Sequence, residues 1–227
     1  MTFPLHFYRW LLLVAAFLLL YFFVFTLPAN GQQHPAAETL IGFTVDNNEY
    51  GTDRHNSPGV LMNFSYNPHR NLRLIGDFAF QHHSSNIVWA KKNAGLDEYQ
   101  VLFGPELVIR QVKKATPFFH AMIGMAGRHY AVPTGNWICT FNTCYQDHFD
   151  IAREFGFASA FGGGVDLNYG YFSYRLVQFD YLRTKLSRDN LNLTPDQGSF
   201  PTVTGWQNNY RFSTGILFHI GQRNAGK

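Results

Sequence analysis

The stretch Asn209-Tyr210-Arg211-Phe212-Ser213-Thr214-Gly215-Ile216-Leu217-Phe218-His219-Ile220 alternates without a break. In an extended chain, successive side chains point to opposite faces. Tyr210, Phe212, Thr214, Ile216, Phe218 and Ile220 therefore share one face, and Asn209, Arg211, Ser213, Gly215, Leu217 and His219 the other. The first face is bulky and apolar; the second is small, polar or charged. Period two over this length predicts a strand. Tyr99, Val101, Phe103, Pro105, Leu107 and Ile109 divide in the same way from Gln100, Leu102, Gly104, Glu106, Val108 and Arg110. Phe155, Phe157, Phe161, Val165 and Leu167 likewise oppose Glu154, Gly156, Ala158, Ala160, Gly162, Gly164 and Asp166.

Carried along the chain, the pattern predicts eight strands, at about 38–46, 57–66, 71–82, 98–112, 117–128, 153–167, 171–183 and 206–220. Their connections alternate short and long. The short ones, 67–70, 113–116 and 168–170, carry turn residues such as Asn67-Pro68 and Asn168-Tyr169-Gly170. The long ones are 47–56, 83–97, 129–152 and 184–205. Short turns on one side and long loops on the other are the pattern of a transmembrane barrel.

The sign of the alternation separates this reading from a soluble, lipocalin-like barrel, which turns its large apolar side chains inward around a ligand. Here the small face carries Gly104, Gly124, Gly156, Gly162, Gly164 and Gly215 with charges among them. Eight strands enclose a space just wide enough for side chains to fill, so the small face suits the interior. The Phe, Tyr and Ile face suits lipid. Tyr66, Trp89, Tyr99, Tyr171, Tyr181, Trp206 and Tyr210, near strand ends, are expected to supply interfacial aromatics.

Composition agrees. Of 227 residues only 15% are charged, against roughly 25% in a typical soluble domain, and 17% are aromatic, with 23 Phe and 12 Tyr. A mean hydropathy of −0.16 excludes a bundle of transmembrane helices. A net charge of +3 is too small for a nucleic-acid footprint. One apolar run stands apart, Trp10 to Leu27, preceded by His6 and Arg9 and followed by Pro28-Ala29-Asn30-Gly31. This order is that of a signal peptide, with cleavage expected between Gly31 and Gln32. The alternative is an uncleaved anchor, and both export residues 32–227.

Three stretches carry a family resemblance: Gly162-Gly163-Gly164-Val165-Asp166, Arg175-Leu176-Val177-Gln178-Phe179-Asp180-Tyr181-Leu182, and Gln207 to Ile216. With Pro117-Phe118-Phe119-His120-Ala121, they resemble the outer-membrane β-barrel domain of OmpA-like and OmpX-like porin-family proteins. The resemblance covers most of 38–221. It implies an all-β fold, an eight-stranded antiparallel up-and-down transmembrane β-barrel preceded by a signal peptide, and it supplies no catalytic residue. It implies an outer-membrane lipid surround and recognition of the last strand by the outer-membrane assembly machinery. The expected organisation is a signal peptide over 1–31, a short segment over 32–37, the barrel over 38–221 and a tail over 222–227, with no separate peptidoglycan-binding domain. The assembly signal normally ends on an aromatic residue, whereas Gln222 to Lys227 follow the last strand here.

The inward parity predicts a set of lumen charges: Asp77, Glu106, Glu154, Asp166 and Asp180 against Arg73, Arg110, Arg128 and Arg211. Charges in a narrow lumen must pair or hydrate, and near balance points to ion pairs that plug it. A selective pore would favour a ring of one sign. Gln178 is expected opposite Arg211, with Asp180 diagonal to it. Arg175 shares parity with Val177 and Phe179, which predicts an outward side chain snorkelling at the periplasmic rim.

Cys139 and Cys144 lie in the longest predicted loop, and an even count in an exported protein points to a disulfide. A metal site would need His129 or His148 to fold back as further ligands. His83-Ser84-Ser85-Asn86 has a His-x-Ser-Asn spacing similar to the catalytic stretch of lipid A deacylase, where His activates Ser. That chemistry faces lipid, whereas strand parity turns His83 and Ser85 inward. The expectation is a non-enzymatic barrel without cofactor or metal, structural or adhesive through its external loops toward an extracellular ligand or host surface. A small porin is the alternative and a lipid A-modifying enzyme the third.

Overall fold

A computed structural model of the protein describes residues 34–50, 53–87, 92–110, 114–139, 144–190 and 205–223. The apolar run and the expected Gly31–Gln32 cleavage lie outside them. The strands are β1 (His34–Tyr50), β2 (Asp53–His69), β3 (Leu72–Ile87), β4 (Lys92–Val108), β5 (Ala115–Cys139), β6 (Cys144–Asn168), β7 (Phe172–Asn190) and β8 (Gln207–Arg223). Each pairs antiparallel with its neighbours in chain order, and β8 closes on β1. Followed around the barrel from Ala37, through Tyr66, Leu74 and onward to Tyr181 and Tyr210, the register returns to β1 at Asn47. The strands are therefore tilted and staggered, which closure of a sheet requires.

The faces are those the alternation predicts. Phe43 is 72% exposed and Ile123 63%, on the same outward parity as Phe64, Phe103, Phe161 and Phe212. The inward parity is buried, and it includes Arg73, Arg175 and Arg211. The interior has two apolar clusters, one containing Ile75, Leu102, Met122 and Leu182, the other Leu40, Leu61, Ala79 and Leu217. Buried charged residues share the same interior, alternating with cluster members along β3 as Arg73, Ile75, Asp77 and Ala79. Facing glycines make the room: a Cβ on Gly162 would sit 2.1 Å from Asp180 Oδ1. Gly170 takes a positive φ of 86° in the turn between β6 and β7, where an L side chain would be strained.

Two expectations about connections are corrected. Three of the long loops, 47–56, 83–97 and 129–152, are largely continued strand: β1 runs on to Tyr50, β3 to Ile87, and β5 and β6 reach Cys139 and Cys144, while most of 184–205 lies outside the described residues. Backbone pairing satisfies the same amide groups a loop would expose, and an apolar belt is not needed beyond the membrane. At the other side, β4 ends at Val108, so Arg110 lies in the following turn and not in the inward row of the strand.

Candidate functional site

The lumen charges converge on two arginines. Arg73, on β3, places Nε 2.5 Å from Glu38 Oε2, and its Nη1 2.7 Å from Glu106 Oε1 and 3.1 Å from Asp166 Oδ2. Arg211, on β8, reaches Asp180 Oδ2 with Nη2 at 2.7 Å and Asp77 Oδ1 with Nη1 at 2.8 Å. His120 joins the two groups, with Nε2 2.8 Å from Asp180 Oδ1 and Nδ1 3.3 Å from Glu106 Oε2. The circuit closes through Arg175, whose Nε donates to Asp166 Oδ1 at 2.8 Å and whose Nη1 donates to Gln178 Oε1 at 2.6 Å. Gln178 Nε2 then donates to Asp180 Oδ2 at 2.7 Å. Arg73, Glu106, His120, Asp180, Gln178, Arg175 and Asp166 thus form a closed ring of polar contacts across the barrel. Buried charges persist only when paired and hydrogen-bonded to this degree.

A third group lies nearer the β5–β6 end of the lumen. Arg128 Nε donates to Glu98 Oε1 at 2.5 Å and Nη1 to Gln207 Oε1 at 2.6 Å, with Glu154 Oε2 3.9 Å away. Asn48 donates to Glu98 as well. At the opposite end Arg110 reaches Glu38 Oε2 at 3.4 Å from the rim, and its Nε donates to the Arg70 carbonyl. Burial, reinforced by the like charge of Arg73, pushes the Arg110 pKa down from its ordinary value.

Arg175 is not outward. It is 1% exposed, and its guanidinium lies over the Phe118 ring at 4.1 Å. The cause is an irregularity in β7: the register shifts between Arg175 and Gln178 against β8 and at Asp166 against β6. Leu176 and Val177 both face outward, so the bulge reverses parity below it. Nor does Gln178 lie opposite Arg211. Gln178 faces Ser213, and Asp180 is the direct partner of Arg211.

Several lumen residues fall outside the set drawn from the sequence: Glu38, Asp46, Glu98, His120 and Arg175. With them, carboxylates outnumber guanidiniums in the described lumen, so the near balance inferred from the sequence is corrected. The alternation already held a signal for four of the five. Glu38 and Asp46 share parity with Thr44, Glu98 with Gln100, and His120 with Gly124. Asp46 is held by Gln100 Nε2 at 2.7 Å and Thr44 Oγ1 at 3.1 Å. Only Arg175 had no local signal.

Cys139 and Cys144 form a disulfide at the tip of the β5–β6 ribbon, where both are exposed. Among the described residues no group of three or more His, Cys, Asp or Glu is placed to hold a metal. His83 takes the inward parity and its ring lies 5.3 Å from that of His55, while exposed His82 pairs with Asp97 at 2.7 Å.

No protein-family model and no curated protein matches the sequence. Solved structures do share its form. Neisserial surface protein A aligns over 83% of this chain and 99% of its own, at 9% identity and a TM-score of 0.52. The attachment invasion locus protein Ail of Yersinia pestis aligns over 83% and 100%, at 13% identity and a TM-score of 0.48. The outer membrane protein OprG of Pseudomonas aeruginosa aligns over 84% and 98%, at 9% identity and a TM-score of 0.45. The chain has the fold of a small eight-stranded outer-membrane barrel, in keeping with the OmpA-like and OmpX-like resemblance of its sequence.

Proposed function

We propose that the protein is a non-enzymatic bacterial outer-membrane barrel that binds at the cell surface, with a lumen closed by ion pairs. One observation carries the reading: a closed ring of buried ion pairs and hydrogen bonds spans the interior while Phe, Ile and Val stand exposed on the outside. Exposed apolar side chains in such numbers need lipid around them. The signal peptide exports the chain, and β8 is the strand the outer-membrane assembly machinery recognises. The surface role belongs to the β5–β6 ribbon, two strands of 25 residues tied at the tip by Cys139–Cys144. At about 3.3 Å per residue such strands outrun a hydrocarbon band of roughly 25 Å even when tilted. The ribbon offers an extracellular ligand or host surface a stiff edge in place of a loose loop.

A small porin is favoured by one detail. The Gln81 amide and Asp77 Oδ2 are buried and make no hydrogen bond to a described residue, a polar stretch that a conducting lumen would hydrate. Conductance of the purified barrel in a planar bilayer tests the two. The closed ring predicts no steady current, and steady ion-selective current would replace this reading with the porin. Lipid A modification fits less well, because His83 faces the interior side and not lipid.

A further inference from the structure

The outward face is apolar almost throughout, and that makes two of its cations conspicuous. Arg183 and Lys185 follow one another on the outer parity of β7, both exposed. Across the ladder they face β6 at Ser159 and Phe157, so they stand level with lipid-facing side chains. Among the described residues no carboxylate pairs with either. Their contacts are aromatic: the Arg183 Cζ lies 4.7 Å from the Trp206 ring centroid and the Lys185 Nζ 6.0 Å, with Phe157 packed edge-on against the same indole. Another outward arginine, Arg54, differs. It has Glu49 at 4.0 Å and donates to Asn47 and to the Asn208 carbonyl.

Their height is set by geometry. From Phe172 at the short-turn end to Arg183, the strand climbs roughly 28 Å at about 3.3 Å per residue and a tilt of about 40°. An apolar band of about 25 Å therefore ends at Arg183, which puts both cations and Trp206 at the outer-leaflet headgroups. A cation there is cheap only if it meets an anion. Arg183 also lines an outward groove of about 660 Å³, together with Pro105, Ala121, Ser159, Ile123 and Phe161, which lie on the lower side of the two cations.

We propose that Arg183, Lys185 and Trp206 form a binding site for a phosphorylated glycolipid of the outer leaflet. The two cations take the phosphate, Trp206 holds them in place by cation–π contact, and an acyl chain lies in the groove beneath. This rests on the outer-membrane reading above and names the lipid that reading leaves open.

The test uses wild type and the double variant Arg183→Gln, Lys185→Gln in phosphatidylcholine nanodiscs doped with diphosphorylated hexa-acyl lipid A or its dephosphorylated counterpart. Insertion is scored first, by heat-dependent gel mobility, and retained lipid next, by native mass spectrometry. Wild type is expected to retain the phosphorylated lipid at least roughly tenfold better than the dephosphorylated one, and the double variant to lose that preference while still inserting. Inorganic phosphate at millimolar concentration is expected not to displace the lipid. Equal retention of both lipids by an inserted wild type, or an unchanged preference in the double variant, overturns the proposal. Full displacement by inorganic phosphate overturns the lipid as the ligand and leaves a simple anion site. If the double variant does not insert, Lys185→Gln and Trp206→Leu are read singly, and an undiminished preference in both overturns it. A wild-type chain that stays soluble would overturn the membrane reading and this site together, a result the mobility assay shows before any lipid is measured.

Discussion

Arg211 lies directly across the β7–β8 ladder from Asp180, with Nη2 2.7 Å from Oδ2, and the same guanidinium holds Asp77 of β3 at 2.8 Å. One side chain thereby ties strands that are far apart in the barrel's circumference. The pairing also fixes how the lumen should respond to change.

Arg211→Ala takes from the wholly buried carboxylates of Asp77 and Asp180 the guanidinium they share, with His120 left beside Asp180. Breaking a buried pair typically costs roughly 3–5 kcal/mol, and water entering the lumen moderates this. The urea midpoint of the refolded barrel should fall accordingly. The exchanged double variant, Arg211→Asp with Asp180→Arg, should recover only part of the loss, because Asp77 and His120 then meet the wrong charges. Full additivity of the two single variants would mean that the pair is not coupled.

Arg175→Leu separates the parity of the sequence from the fold. If β7 were regular, leucine there would face lipid and do no harm. In the observed barrel it removes one of the two guanidiniums that hold Asp166, the other being Arg73, and the cation over Phe118, and a loss on the order of 3 kcal/mol is expected in the same unfolding assay. A variant as stable as wild type would show that the bulge between Arg175 and Gln178 is absent.

The two faces of β8 should tolerate different chemistry. Ile216→Arg places a charge among lipid tails and should cost about 2–4 kcal/mol or prevent insertion. Ser213→Ala removes one hydrogen bond to Thr44 Oγ1 and should cost about 1 kcal/mol. Comparable damage from both, by insertion yield and unfolding midpoint, would argue that Ile216 does not face lipid.

The disulfide should matter to the ribbon and not to the barrel. Cys139→Ser with Cys144→Ser is expected to insert with unchanged heat-dependent mobility. Protease cutting between Cys139 and Cys144 on intact cells should leave fragments that separate only after reduction. Fragments already separate under non-reducing conditions would mean that the bond does not form.

The sequence by itself determined which residues face in and which face out wherever a strand is regular. That is a local property, since period two needs no knowledge of partners. Ile216 and Ser213 are assigned correctly on this ground, and the same rule, had it been carried to Glu38, Glu98 and His120, would have placed them inward too. The existence of eight strands and the position of their short turns were legible for the same reason. What the alternation does not carry is any relation between strands. Asp180 stands opposite Arg211 above a bulge in β7 that shifts the ladder by one residue, since the register of Arg175 with Gly215 carried on unbroken would bring Phe179 there; and a bulge is stabilised by what surrounds it, here the Asp166 carboxylate and the Phe118 ring waiting for Arg175. The length of the external hairpins was hidden too. Toward the tip of the β5–β6 ribbon the apolar alternation of the sequence disappears, and backbone pairing, which needs no side-chain pattern, carries the strands on to Cys139 and Cys144.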